Sequence, residues 1–291
     1  MLDAIARLRR FNRVVTREIG ALDLSYLGRG RPLSTARVLH MIRPEGTDIA
    51  VIRQTLRFDS GLLSRLLRAL EKEGLVVVKP DPTDRRRRIA HLTAAGTAEW
   101  QVYDQLGHDK AKAVFDRAGS RQQALIDAMD LIATVMLQDD VDIRDADPDD
   151  PAALSCLSAY YQMLLDSFAL FTPEMLPLPL PDAARYRGPD GAFLVAWSDD
   201  LPIGCVSLRP LEPGVGEVKR LWVHPTARGQ GLARRLMRAL EARARDMGMT
   251  RLQLDTNTGL PEAVALYRRD GWTDIAPYTT PPANLWMAKA L

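Results

Sequence analysis

Residues 217–247 read EVKRLWVHPTARGQGLARRLMRALEARARDM, and this segment most narrows the folds open to the chain. An extended run, Glu217–His224, meets the turn Pro225–Thr226–Ala227. Then come Arg228, Gly229, Gln230, Gly231, Leu232 and Ala233, followed by a helical pattern with Leu232, Leu236, Met237 and Leu240 on one stripe. Glycines between a strand and a helix free backbone N–H groups to point at an anion, and the helix dipole favours negative charge there. Ala233 is small enough for a ligand to approach, and Arg228 adds a cation. Glycine spacing alone does not fix the ligand. The segment lacks the Gly-Lys-Ser/Thr of a P-loop and is not a G-x-G-x-x-G dinucleotide loop.

The surrounding pattern divides the chain in two. Its 291 residues suit two ordinary domains. A composition break at residues 138–151, QDDVDIRDADPDDP, suggests domains at 1–138 and 139–291, with Val141 and Ile143 able to open a strand. The first part reads mostly as helix: 3–20, Ser34–Ile42 with Ser34 as N-cap, Thr47–Arg57, Asp59–Glu73 and one or two long helices over 93–137. Leu75–Lys79 and Ile89–Leu92 read as strands. The second part alternates strand and helix, which indicates an α/β layer fold. Its Pro-rich stretch 172–191 reads as loop. Apolar runs are too short to span a bilayer, so no membrane partner is expected. The N-terminus lacks a secretory signal pattern, and a cytoplasmic location is expected. Cys156 and Cys205 show no metal or disulfide spacing, so no metal is expected.

Charge is uneven. Residues 1–138 hold 23 Lys and Arg against 16 Asp and Glu, while the remainder holds 16 against 21. A basic half suggests a polyanionic partner, although a solvated basic surface would look the same. In SGLLSRLLRALEKEG, Leu62, Leu63, Leu66, Leu67 and Leu70 form the stripe to be buried. Ser60, Gly61, Ser64, Arg65 and Arg68 fall largely on the other side. That arrangement serves a helix entering a major groove and equally an ordinary amphipathic helix. The segment LVVVKPDPTDRRRRIAHLT follows directly: strand, turn, Arg85, Arg86, Arg87 and Arg88, returning strand. Arginines at a hairpin tip suit a minor groove, and Asp84 beside them could orient one.

With LSTARVLHMI, the recognition-type helix, the arginine wing and the closing Leu92-Thr93-x-x-Gly96 in order, residues 1–138 resemble the MarR family of transcriptional regulators. The resemblance implies a winged helix-turn-helix, mainly α with a β-wing. It further implies a homodimer through the first and last helices and a double-stranded, pseudo-palindromic DNA operator. Ser60, Ser64 and Arg65 match recognition-helix positions and Arg86 the wing position.

Residues 141–291 resemble the GNAT acetyltransferases. The likeness rests on IRDADPDD, GEVKRLWVHPTARGQGLARRL, LQLDTN, EAVALYRRDGW and LWMAKAL. It implies an α/β fold whose mixed central sheet splays to admit pantetheine, with acetyl-CoA as acyl donor. The backbone of Leu221, Trp222 and Val223 would meet the pantetheine, and the Arg228–Ala233 loop (Arg228, Gly229, Gln230, Gly231, Leu232, Ala233) the pyrophosphate. Asn257 would lie near the cofactor arm, or would simply form the TNTG turn. Acyl transfer to an amine needs a base for the ammonium and a proton donor for the thiolate. Glu217 matches a family base position and Tyr267 a family acid position; a paired strand-end carboxylate and a packed tyrosine are the alternatives. Tyr160, Tyr161, Phe168, loop 172–191 and Tyr278 are candidates for the acceptor side.

Three functions remain open on the sequence. One is a bifunctional regulator and N-acetyltransferase acting on a small-molecule or protein amine. The second is a regulator whose GNAT domain only senses acyl-CoA or an amine. The third is an enzyme whose first domain serves only dimerisation, against which the four-arginine wing counts.

Overall fold

The computed structural model describes residues 3–291. The chain forms two compact units that part between Gln122 and Gln123, ahead of the composition change at Gln138. The long helix before that change goes with the second unit, where Ala133, Thr134 and Leu137 share a shallow depression with Ser198–Leu201. Thr134 is buried there.

The first unit runs α1 (Ala4–Glu18), α2 (Leu33–His40), β1 (Thr47–Asp48), α3 (Ile49–Leu56), α4 (Ser60–Lys72), β2 (Val76–Pro80), β3 (Arg88–Leu92) and α5 (Ala94–Ala118). A three-stranded antiparallel sheet in the order β1-β3-β2 carries the hairpin wing. Leu63, Leu67 and Leu70 of α4 pack with Ala36, Val38, Leu39 and Ile52. Asp59 caps α4 by accepting from the Leu62 N–H at 2.8 Å, as its position predicts. Ser34 does not cap α2. Pro32 occupies the cap position, and its fixed φ with an extended ψ places Ser34 inside the first turn. The helix expected from Thr47 starts two residues later. Thr47 and Asp48 pair with Ala90 and Ile89, and Asp48 caps α3 instead.

The Leu92-Thr93-x-x-Gly96 signature has a physical basis. Thr93 Oγ1 accepts from the Gly96 N–H and donates to the Gly74 carbonyl, joining the start of α5 to the end of α4. A Cβ on Gly96 would stand 1.9 Å from the Leu75 carbonyl oxygen. Only glycine permits that approach.

The second unit runs α6 (Gln122–Met136), β4 (Asp142–Asp145), α7 (Pro151–Ser167), β5 (Ala192–Ser198), β6 (Leu201–Glu212), β7 (Val215–Val223), α8 (Leu232–Asp246), β8 (Arg251–Thr256), α9 (Pro261–Arg269), β9 (Thr273–Asp274) and β10 (Leu285–Ala290). Its seven-stranded sheet has the order β4-β5-β6-β7-β8-β10-β9. Part of the acidic stretch is therefore an edge strand. Just beyond it, Asp147 and Asp149 clasp Arg187, with contacts of 2.6 Å. The hydrogen bonds from Arg187 hold the Asp147 carboxyl down at about 2. On β5 the two-residue period divides side chains between two cores. Ala192, Leu194 and Ala196 join the core under α8, whereas Phe193 and Val195 join the one under α7.

All strand pairs are antiparallel except β7–β8, and this exception makes the site. These two strands pair only over Val215–Glu217 and Arg251–Gln253. Beyond Glu217 they part, while β7 stays on β6 as far as Val223 and β8 stays on β10 as far as Thr256. Unpaired backbone edges therefore face each other across a wedge. No helix among the described residues is long and apolar enough to cross a membrane.

Candidate functional site

The wedge opens toward the glycine loop. Gly229 and Gly231 have φ of +76° and +77°, and a Cβ at either position would meet nothing within 4 Å. Glycine is needed here for its backbone conformation. Gly231 occupies the N-cap of α8 with no side-chain capping bond. The first N–H groups of a 15-residue helix are thus left without a side-chain partner beside exposed Arg228. Arg228 Nε donates to the Val223 carbonyl at 3.2 Å, tying the loop to the end of β7. Leu232 is buried in the core and Ala233 is half-buried, so each contributes backbone to this turn. Leu221, Trp222 and Val223 form the β7 side of the wedge. These features suit a pyrophosphate and an extended amide-bearing arm.

Asn257, at the end of β8, spends its amide locally. Its Nδ2 donates to the Pro282 carbonyl and its Oδ1 accepts from the Gly259 N–H, both at 2.8 Å. The side chain serves the turn.

Glu217 lies at the closed end of the wedge and has no exposed side-chain surface. Arg209 Nε donates to its Oε2 at 2.5 Å, and Lys219 Nζ stands 3.1 Å from its Oε1. The paired carboxylate, one of two readings open on the sequence, is the arrangement present. Lys219 also donates to Asp255 Oδ1 at 2.5 Å, bridging two carboxylates across the splayed strands. Asp255 Oδ2 accepts from Thr279, which in turn accepts from Trp286. Asp255, whose side chain is 16% exposed, is the carboxylate nearer solvent.

Tyr267 is buried on α9 with its ring 5.9 Å from Trp272. No hydrogen bond among the described residues holds its hydroxyl. Burial, reinforced by the Asp255 charge, raises its pKa well above the usual phenol range. Tyr160 is raised by burial and then by Tyr267, and Tyr278 by burial and then by the charges of Glu217 and Asp255. Three phenols thus surround the carboxylate array, and each stays protonated at neutral pH. Their folded pKa values exceed the unfolded value of about 10. Their contribution to stability is therefore full below about pH 10 and lost as pH rises toward the folded values. Denaturant titration at stepped pH, with phenolate absorbance followed in parallel, should show stability declining only above that point.

Other acceptor-side candidates divide. Tyr160 and Tyr161 on α7 reach the array, with rings 5.7 Å apart. Phe168 instead lies over the turn at Gly259 and against Phe171. The Pro-rich loop supplies Asp182 and Tyr186. Asp182 Oδ2 accepts from Arg209 Nη1 at 2.8 Å and from the Tyr186 hydroxyl at 3.2 Å. Arg209, Lys219, Asp255 and Asp182 escaped the sequence reading, since isolated charges carry no periodic signal. No cluster of three or more metal-ligating side chains occurs among the described residues.

On the first unit, Ser60, Ser64, Arg65 and Arg68 lie along α4, where Arg68 donates to Ser64 Oγ at 2.9 Å. Arg85, Arg86 and Arg88 are exposed at the wing. Arg87 is committed elsewhere. Its Nε donates to Asp48 Oδ2 at 2.7 Å, pinning the wing to the cap of α3 and pulling the Asp48 carboxyl below its usual range. Asp84 does not orient an arginine side chain. It accepts from the Arg86 backbone N–H at 3.0 Å, and Asp48 takes the orienting role.

A wing on a helix pair and a splayed sheet with a glycine-capped helix define a winged-helix unit followed by an acyltransferase type of fold. Comparison with known proteins agrees. The MarR family profile matches residues 29–87, and the acetyltransferase (GNAT) family profile matches 157–272. The chain is 41% identical over 116 residues to an IAA acetyltransferase of Azospirillum brasilense, a match covering 38% of this chain and 76% of that protein. It is 35% identical over 96 residues to an uncharacterized N-acetyltransferase of Schizosaccharomyces pombe, covering 32% of this chain and 59% of the other. Among solved structures it is similar to the PaiA N-acetyltransferase of Thermoplasma acidophilum in complex with coenzyme A. That match has 17% identity and TM-score 0.43, and covers 52% of this chain and 99% of that one. The chain belongs to the GNAT acetyltransferase family and carries a MarR family domain ahead of its GNAT domain.

Proposed function

We propose that this protein is a DNA-binding regulator joined to an active N-acetyltransferase, with acetyl-CoA as donor and an amine as acceptor. The observation that carries the transferase reading is the parting of β7 and β8 beside a helix N-terminus that no side chain caps. Leu221–Val223 and the Arg228–Ala233 loop hold the donor through backbone groups, and Arg228 faces its phosphates. When bound, acetyl-CoA supplies an acyl group on a thioester, so no enzyme nucleophile is needed. Glu217 and Asp255, linked by Lys219, receive the proton shed by the ammonium, with Glu217 acting through water because it is fully enclosed. Tyr267 returns a proton to the departing sulfur and regains one from the nitrogen as the amide forms.

The enclosure of Glu217 between Arg209 and Lys219 also favours a second reading, in which the domain senses acyl-CoA without turning it over. An assay of acetyl-CoA consumption against a panel of amines separates the two. Thiol release that depends on an amine supports the enzyme; tight acetyl-CoA binding with no release on any amine supports the sensor.

For the first unit we read Ser60, Ser64, Arg65 and Arg68 as groove-facing and Arg85, Arg86 and Arg88 as wing contacts to an operator in the cytoplasm. Arg87 acts by holding the wing. Helix α1 buries none of its own side chains and exposes Ile5, Leu8, Phe11 and Val14, which supports a homodimer through this unit. Arg86→Ala should weaken DNA binding and reduce the slope of log affinity against log salt by about 1. Titration of a labelled promoter fragment at several salt concentrations measures both. An unchanged slope would remove Arg86 from the interface.

A further inference from the structure

The array beside the wedge contains one buried cation whose charge is not properly met. Arg209 and Lys219 each have a carboxylate oxygen at 2.5 Å. Arg220, whose side chain is only 15% exposed, has none within hydrogen-bond reach. Its nearest carboxylate oxygen is Asp182 Oδ1 at 3.8 Å, and the other oxygen of Asp182 already serves Arg209 and Tyr186. Arg220 Nε donates to the Tyr161 hydroxyl at 3.2 Å, and its guanidinium lies 4.6 Å from the centre of the Tyr186 ring. Its Nη1 is buried with no hydrogen-bond partner among the described residues. A buried guanidinium left in this state is costly, and it cannot shed its proton to escape.

The backbone is also committed to placing it there. Cys205 pairs with Trp222 and Ser207 with Lys219, so Arg220 and Leu221 together oppose Val206 in a bulge. Arg220 takes φ of +56°, a left-handed conformation unusual for any residue but glycine. Strain of this kind persists where surrounding structure enforces it, commonly at ligand sites. Close by, the Tyr278 hydroxyl is buried without a hydrogen-bond partner, and Glu217 Oε1 has the Lys219 ammonium at 3.1 Å. The site thus offers a spare cationic donor at Arg220 beside carboxylates that Lys219 bridges. Tyr160 and Tyr161 lie between Arg220 and Tyr267.

We propose that Arg220 receives the carboxylate of the acceptor, so that the acceptor is a free α-amino acid whose ammonium lies against the Glu217–Lys219–Asp255 array. The inference rests on the transferase reading above. In the reaction the amino acid nitrogen forms a bond to the acetyl carbon as the carbon–sulfur bond breaks. One ammonium proton goes to the carboxylates before attack. As the amide forms, the nitrogen gives up a second, which replaces the proton Tyr267 hands to the sulfur, so the phenol ends neutral. The product has lost its positive charge but keeps the carboxylate on Arg220. Plain alkylamines and diamines would leave the Arg220 charge unmatched.

Binding tests this without relying on turnover. The full chain saturated with coenzyme A is titrated calorimetrically with each common L-amino acid, its C-terminal amide, and the diamine putrescine. At least one free amino acid should bind ten-fold or more tightly than its amide and than putrescine. Arg220→Gln should erase that preference while leaving coenzyme A affinity as in the parent. Tyr161→Phe, which keeps the charge and removes only the orienting hydroxyl, should reduce it. Amides or putrescine binding as well as the free amino acids would overturn the proposal, as would the absence of binding by any amino acid. Selective amino acid binding with no acetyl transfer would instead sustain the carboxylate site and overturn the transferase reading.

Discussion

Tyr267→Phe is expected to lower acetyl-transfer turnover by about 10²–10⁴-fold, the usual contribution of a positioned proton donor. The substitution removes one oxygen that no hydrogen bond among the described residues engages, so the packing of α9 against Trp272 survives. Melting temperature and acetyl-CoA affinity should therefore match the parent, and the loss should fall on kcat. The acid must be protonated to act, and both burial and the Asp255 charge raise its pKa. Loss of this proton should thus cause no fall in activity until the solution is more alkaline than about pH 10, the ordinary phenol value. Steady-state kinetics across pH with a productive amine would check both points. A variant with parental kcat would return Tyr267 to the status of a packed aromatic residue.

The second large effect concerns the first unit. Gly96→Ala should destabilise it by at least the upper part of the range for overpacking, about 1–3 kcal/mol. The added Cβ would stand 1.9 Å from the Leu75 oxygen and 2.9 Å from the Leu75 carbonyl carbon. Neither is a side chain that can swing aside. That carbonyl also accepts from the Thr93 N–H at 3.0 Å, so moving it breaks the junction between α4 and α5. Gly107→Ala, in the same helix with nothing within 4 Å of the new Cβ, is the control. It should stabilise by about 1 kcal/mol through helix propensity alone. Urea denaturation of both variants would show opposite shifts; equal shifts would mean that the close approach at Gly96 carries no weight.

The two cases differ in how far the sequence could anticipate them. Stripes and glycine placement were readable, because the periods of helix and strand impose them locally. The Leu63–Leu67–Leu70 face of α4, the cap at Asp59 and the strand-loop-helix around Gly229 and Gly231 all stand where the spacing put them. Partner choice was not readable. Four adjacent arginines look equivalent in sequence, yet Arg87 alone finds Asp48, 39 positions upstream. Lys219 and Asp255 are 36 positions apart, and Arg209 and Asp182 are 27 apart. Such pairs depend on how strands and loops come together, which no local pattern encodes. Ser34 failed as a cap for a local reason: the preceding proline already supplied the turn into the helix. Glu217 stood out by its place ahead of the glycine loop, but its enclosure by Arg209 and Lys219 became visible only with the sheet assembled.

The extra residue in β7 has a consequence for how this strand can change over time. Upstream of the bulge lie Glu217 and Lys219 with their ion pair; downstream, Trp222 and Val223 border the wedge. The strand therefore works in two phases, offset like a shifted reading frame. Deleting Leu221 would yield a tidier ladder with β6. Trp222 and Val223 would keep Cys205 and Gly204 as partners and so keep their faces, but Arg220 would lose the irregular backbone that gives it a φ of +56°. Substitutions along β7 alter the site by degrees, but a change in its length would take away the placement of Arg220 at a stroke.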